Sequence, residues 1–253
     1  MTAPAWRTML PSWQPAHAAI DCVRLRLDAA FAAAEPELTR RLPQAEQARA
    51  AAYRSAPARL RFVGGRVALR ALLACAGGQR PCDVRIDRGE HGAPTAPGSS
   101  LDVNLTHAGE WVMAAVSQSG PVGVDVEPLR GIPEWRAIAE HFHAEDRDCL
   151  ASIDAAGVML PFLRVWTRKE AVAKALGLGL ALPLDACAVG SRGAAPCRSV
   201  GVCHAGVTSA WSLFDVDPEP GYIAAIAVRP GATLMFWSLR MPLLMDLWAR
   251  GEA

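Results

Sequence analysis

LDVNLTHAGEWVMAAVSQSGPVGVDVE, residues 101–127, decides how the chain folds. Leu101, Val103 and Leu105 alternate with Asp102, Asn104 and Thr106, a period of two that sends one set to each face of a strand. HAGE then turns the chain into WVMAAVS, and QSGP turns it again into VGVDVE. Three strands in succession, separated by turn residues, predict an antiparallel meander.

Outward from it, residues 42–78 read as two helices, one from Pro43 to about Ser55 and one from about Ala58 to Ala76, closed by Gly77 and Gly78. Residues 132–176 read as helical up to Gly177, and WSLFDVD and YIAAIAV form a second hairpin around PEPG. EPGYIAAIAVRPG echoes HAGEWVMAAVSQSG, which points to an internal repeat of an α+β unit with its boundary near Ser119 to Pro121. The expected division is an N-terminal lobe over 1–119, a C-terminal lobe over 120–232 and an apolar tail over 233–253. That tail, broken by Arg240, Pro242 and Asp246, is expected to dock on the body or a second subunit, a lipid contact being the lesser alternative.

With 253 residues, 51% hydrophobic and 20% charged, the chain can bury one substantial core or two smaller ones. No run of about 18 apolar residues occurs and prolines break the N-terminus, so neither a membrane span nor a signal peptide is expected, and the location expected is cytoplasmic. Seven cysteines, an odd number without a CxxC pair, argue against a disulfide framework or a zinc ribbon. His141, His143, Cys203 and His204 fit no strong zinc spacing either. A net charge of +1 gives the whole chain no nucleic-acid signature. Between Arg40 and Arg88, however, eleven arginines face three acids, a patch that suits a polyanion or a solvated helix face.

Chemistry concentrates in two stretches. In VGVDVE the strand period sends Asp125 and Glu127 to one face, where two like charges need bulk water or a cation. In WTRKEAVAK, residues 166–174, stand both lysines of the chain, Lys169 and Lys174. Helical spacing aligns Leu163, Trp166, Glu170 and Lys174 on one stripe and Phe162, Val165, Val172 and Leu176 on another, apolar one. Glu170 and Lys174 are also a favourable surface pair at i,i+4. Three carboxylates from a strand and a helix make an oxygen-rich set suited to Mg²⁺, and a lysine beside it can bind phosphate as a point charge.

GVDVE followed by WTRKEAVAK resembles the paired signature, GxDxE and then WxxKExxxK, of the 4'-phosphopantetheinyl transferases of the surfactin-synthetase type. NLTHAGEW is similar to that family's NxSHSG segment and RLRFVGGRVALRALL to its arginine-bearing helix, so the likeness covers roughly residues 40–230. It implies an α+β fold of two pseudo-twofold-related lobes, each a small antiparallel sheet with packed helices. It further implies transfer of the phosphopantetheine arm of coenzyme A to a serine of an acyl or peptidyl carrier protein, with release of adenosine 3',5'-bisphosphate. By the same resemblance Asp125, Glu127 and Glu170 would hold Mg²⁺, and Glu170, Lys174 and Asp125 would serve catalysis. Glu170 or a metal-bound water would take the serine proton. Thr106 and His107 would meet the 3'-phosphate, Arg61 the adenosine phosphate, and Arg49, Lys169 and Lys174 other parts of coenzyme A, with Arg54 in a looser match. A monomer with no nucleic-acid or membrane partner is expected.

Three departures stand out. The family's GKP loop reads Gly92, Ala93, Pro94, which removes a phosphate-contacting ammonium. Its SH is Thr106-His107, and its acidic position in FHAEDRDCL falls on Glu145 or Asp146. The alternatives are a catalytically weak relative that binds coenzyme A or a carrier protein in a regulatory role, and a different Mg²⁺-dependent phosphoryl-transfer enzyme.

Overall fold

The computed structural model describes residues 5–10, 12–15, 19–190 and 198–249. The chain divides into two compact units, residues 121–232 forming one and residues 5–120 the other, which the chain rejoins from 233 onward. The first unit begins with β1 (Arg7–Thr8), β2 (Ala19–Arg26), α1 (Ala29–Arg41), α2 (Gln44–Ala51) and α3 (Ala56–Gly77). A short ribbon of β3 (Asp87–Arg88) and β4 (Pro94–Thr95) leads to β5 (Asp102–Ala108) and β6 (Trp111–Ser117). The second unit holds β7 (Gly123–Pro128), α4 (Trp135–Ala139), α5 (Ala144–Ala151), α6 (Met159–Ala175), β8 (Arg198–His204), β9 (Val207–Asp215) and β10 (Tyr222–Val228). β11 (Thr233–Leu239) and α7 (Met241–Ala249) complete the first unit.

One plan serves both units: a strand, three helices, then a hairpin whose second strand pairs antiparallel with the opening strand. In the first unit β2 pairs with β6 and β6 with β5; in the second β7 pairs with β10 and β10 with β9. The echo between residues 107–120 and 219–231 falls on the corresponding strands β6 and β10. The chain is thus α+β, with a long helix against each sheet. Val63, Val67 and Leu72 of α3 share a core with Val23, Leu25, Val112 and Val116, while Phe162, Val165 and Val172 of α6 share another with Trp211, Ile223 and Ala225. The described residues contain no helix long and apolar enough to cross a membrane.

The expected three-stranded meander is corrected. Both edges of β6 are taken, Val116 lying opposite Asp21 of β2 on one side and Val103 of β5 on the other. VGVDVE therefore leaves that sheet and becomes the edge strand of the second, with Asp125 opposite Ala225 and Glu127 opposite Ile223. The apolar C-terminal segment docks on the body, as expected, and does so as a part of the first unit. β11 runs parallel between β1 and β2, with Trp237 opposite Val23, because an open edge and an unpaired apolar strand satisfy each other's backbone groups. Leu243, Leu244, Leu247 and Trp248 of α7 then bury in the first core, and the Trp248 indole donates to the Val67 carbonyl at 3.2 Å. The helical stretch expected over 132–176 is divided into three helices, α5 being started afresh by His143, whose Nδ1 accepts from the Glu145 amide at 3.3 Å.

Gly123 lets β7 lie directly on α6. A Cβ built there would stand 2.0 Å from the Ala171 carbonyl oxygen and 2.4 Å from the Ala175 nitrogen, both main-chain atoms that cannot swing aside. Gly123→Ala is expected to cost about 3 kcal/mol, the upper end of the overpacking range, measured as the shift of the denaturation midpoint. A midpoint like that of the unaltered chain would refute the close approach.

Candidate active site

Asp125 and Glu127 occupy one face of β7, and α6 lies across that strand. The Lys174 ammonium donates to Asp125 Oδ1 at 2.6 Å and to the Val124 carbonyl at 3.3 Å, tying the last turn of α6 to β7. One turn earlier stands Glu170, four residues before Lys174 on the same stripe. Trp166, a further turn back, has its side chain beside Glu127. These five positions, which sequence spacing aligned from two distant segments, thus share one locality within the second unit.

Their charges act on one another. Burial pushes the Glu127 carboxyl above the usual carboxylate range and the Asp125 charge pushes it further, against opposition from Arg130, Lys174 and the Trp166 indole. Burial likewise raises Glu170, Lys174 opposing it while Asp125 and Glu127 add to the rise. Beside Glu170 opens a mainly apolar pocket whose lining includes Trp166, Ala173, Leu182, Pro183 and Cys187.

Among the described residues no three His, Cys, Asp or Glu side chains are drawn together closely enough to hold a metal ion as they stand. The fit of Mg²⁺ rests instead on the donor set. Three carboxylates, two of them half-buried and held towards the neutral form by burial and by each other, share one ammonium. A hard dication with oxygen preference relieves that excess of negative charge.

Lys169, expected to face coenzyme A, does not belong to this cluster. Its side chain is 3% exposed, its ammonium lies 2.8 Å from Asp146 Oδ2, it donates to the Cys187 carbonyl at 2.6 Å, and it sits 5.3 Å from the centre of the Phe142 ring. One residue along a helix is a rotation of about 100°, enough to turn the neighbour of Glu170 into the core of the second unit. The same contact separates the two candidate acids: Asp146 is fully buried and also accepts from the Val189 and Gly190 amides at 3.2 and 2.7 Å, while Glu145 is exposed.

The remaining candidates lie in the first unit. Thr106 and His107 are successive residues of β5 and so face opposite sides of it, Thr106 buried on the side of Asn104 and His107 exposed on the other. Arg61 on α3 is half-buried and makes no hydrogen bond or ion pair among the described residues. Arg49 on α2 is exposed, its guanidinium 5.1 Å from the centre of the Phe62 ring, and Arg54 is exposed beyond the end of α2.

Two further features of α6 escaped the sequence reading. Arg168 reaches Asp215 with Nε at 3.0 Å and Nη2 at 2.8 Å, and Arg164 grips Asp217 in the same forked way. The signal was present as two arginines four apart on a helix and two aspartates two apart in FDVD.

Residues 121–227 match the family model described as the 4'-phosphopantetheinyl transferase superfamily. The 4'-phosphopantetheinyl transferase HetI of Nostoc sp. is 30% identical over 207 residues, which cover 79% of this chain and 84% of that one. A phosphopantetheinyl transferase of Thraustochytrium sp. is 29% identical over 198 residues, covering 72% of this chain and 63% of the relative. The 4'-phosphopantetheinyl transferase Sfp of Bacillus subtilis is 36% identical over 110 residues, 42% of this chain and 47% of that one. With a relative this similar along most of both lengths, and with the acidic strand and the lysine-bearing helix inside the matched region, the chain belongs to the 4'-phosphopantetheinyl transferases and is an enzyme of that class.

Proposed function

We propose that the enzyme moves the 4'-phosphopantetheine arm of coenzyme A to a serine of an acyl or peptidyl carrier protein and releases adenosine 3',5'-bisphosphate. The observation that carries this reading is the joining of Asp125 on β7 to Lys174 on α6, which gathers both halves of the signature in one place. Asp125, Glu127 and Glu170 would hold Mg²⁺, which when bound neutralises pyrophosphate charge and orients the oxygens around the reacting phosphorus. Lys174, half-buried and anchored through Asp125, offers a fixed positive charge to the phosphate oxygens as their charge shifts in the transition state.

The serine oxygen forms a bond to the phosphorus that carries the pantetheine arm, and the bond from that phosphorus to the bridging oxygen of the nucleotide breaks. Glu170 accepts the serine proton. Burial raises its proton affinity above that of a solvated carboxylate, which improves it as a base, while Lys174 opposes that rise. The apolar walls beside Glu170 limit the water that could compete for the phosphorus.

Incubating the protein with an apo carrier protein, coenzyme A and Mg²⁺ is expected to add one phosphopantetheine arm to the carrier, seen as a mass increase on the serine-bearing peptide. Binding of coenzyme A without any arm on either carrier type would replace the transferase by a binding relative. Hydrolysis of coenzyme A with no carrier present would replace it by a different phosphoryl-transfer enzyme.

A further inference from the structure

β7, β10 and β9 share one rung of their sheet, in which Asp125, Ala225 and Asp215 stand opposite one another. Residues directly opposite in antiparallel strands point to the same side, and here that side carries α6, since Ala225 packs in one core with Val165 and Val172. The helix holds both ends of the rung. Lys174 donates to Asp125 Oδ1 at 2.6 Å, and Arg168 forks onto Asp215 at 3.0 and 2.8 Å. The two spans match: strands about 4.8 Å apart put the outer two of three about 10 Å from each other, and the helix rises about 9 Å from residue 168 to residue 174.

Glu170 lies between these two grips. Lys174 alone leaves the helix free to turn about its contact, because an ammonium is a point charge on a flexible stem, whereas a guanidinium fork fixes direction as well as distance. The side chains of Arg168 and Asp215 are each 4% exposed, and Nη1 of Arg168 also donates to the Gly190 carbonyl, so the fork is closely held. One turn earlier Arg164 forks onto Asp217, whose Oδ1 also accepts from the amide of Ala224 at 2.7 Å, beside Ala225 of the rung. Asp217 is less buried, with 28% of its side chain exposed.

We propose that Arg168, with Asp215, is a positioning residue for Glu170, and that Arg164, with Asp217, reinforces it. Each arginine acts through α6 rather than on the substrate. Together they fix the axial register and rotation of the helix on the sheet, and so the place of the Glu170 carboxylate relative to Asp125 and Glu127. The register matters because one residue of slippage turns a helix by about 100° and moves it about 1.5 Å. What distinguishes the Arg168 pair from an ordinary buried ion pair is that its aspartate stands on the very rung that carries Asp125. This role rests on Glu170 being the proton acceptor and metal ligand argued above.

Steady-state arm transfer by the full-length protein, run well below the denaturation midpoint, tests this, with calorimetric affinity for coenzyme A as a second readout. Arg168→Lys keeps a buried charge beside Asp215 but cannot fork. It is expected to lower kcat about tenfold, the scale of a small misplacement of a reacting group, while affinity for coenzyme A stays within about twofold. Arg164→Gln, where water can reach Asp217, is expected to lower kcat about threefold, and it carries the test if Arg168→Lys does not fold. In a Glu170→Gln background Arg168→Lys is expected to cost less than about twofold, because two changes that act through one carboxylate do not add. A lower midpoint with unchanged kcat in the variant that folds would leave a structural ion pair and overturn the proposal. So would a full loss that persists in the Glu170→Gln background, or a loss confined to coenzyme A affinity. Near-normal transfer by Glu170→Gln itself would instead remove Glu170 from the reaction, a failure of the earlier reading that takes this role with it.

Discussion

Asp125→Asn is expected to reduce arm transfer about a hundredfold or more and to move the thermal midpoint by no more than about 4 °C. The first magnitude follows from removing one hard-oxygen ligand whose task in phosphoryl transfer is worth several kcal/mol, at 1.36 kcal/mol for each factor of ten. The second follows from the shape of the substitution. Asparagine keeps an oxygen for the Lys174 ammonium, fills the same buried volume, and costs on the order of 1 kcal/mol, which for a chain of this length is about 2–4 °C. Asparagine is the better test than alanine, because alanine would also free Lys174 and mix two effects. A magnesium titration separates them further: loss of a ligand raises the Mg²⁺ concentration needed for half-maximal rate, whereas a displaced lysine lowers the rate at every concentration. Near-normal turnover with an unchanged magnesium requirement would defeat the assignment of the three carboxylates. Glu127→Gln and Glu170→Gln should follow the same pattern, Glu170→Gln losing also the proton acceptor.

What sequence could and could not tell follows from the range over which its signals act. The alternation in residues 101–117 and the turn at Gly109 and Glu110 are local, and β5 and β6 form as that pattern requires. The partner of VGVDVE is not local. Its alternation marks a strand facing a core on one side, but which sheet accepts it depends on β2, from near the start of the chain, having already filled the edge of β6 that β5 leaves open. The C-terminal segment docks on the body, as its apolar run led one to expect, but that it does so through a strand is not legible until the open edge of β2 is known. In the site, period arithmetic put Asp125 and Glu127 on one strand face and Glu170 and Lys174 on one helix stripe, and Lys174 donates to Asp125. Lys169 is assigned to coenzyme A by resemblance alone, and it turns inward because helix α6 is buried around most of its circumference and polar residues facing inward find buried partners. Sequence periodicity assumes that charge means solvent; here Arg168 and Lys169 show charge meaning an ion pair, with Asp215 and Asp146 supplied by segments 47 and 23 residues away.

Removing the Asp146 carboxylate should therefore do what removing a substrate contact would not. Asp146→Ala is expected to destabilise the protein by about 3–5 kcal/mol, because it leaves the Lys169 ammonium buried with a carbonyl and an aromatic face but no anion. It also strips the acceptor from the Val189 and Gly190 amides, so the loop that lines the pocket beside Glu170 loses its anchor to α5. Lys169→Met is the informative partner variant. It leaves the Asp146 carboxylate buried but still accepting from the Val189 and Gly190 amides, so it should cost less than Asp146→Ala, and combining the two should cost less than the sum, the mark of an interacting pair in a double-mutant cycle. Kinetics then distinguish structure from substrate binding. If Lys169 only secures the second unit, Lys169→Met lowers the denaturation midpoint while KM for coenzyme A stays near its unaltered value at temperatures well below that midpoint. A large rise in KM with unchanged stability would return Lys169 to the coenzyme A site and show that its ammonium exchanges Asp146 for phosphate when substrate binds.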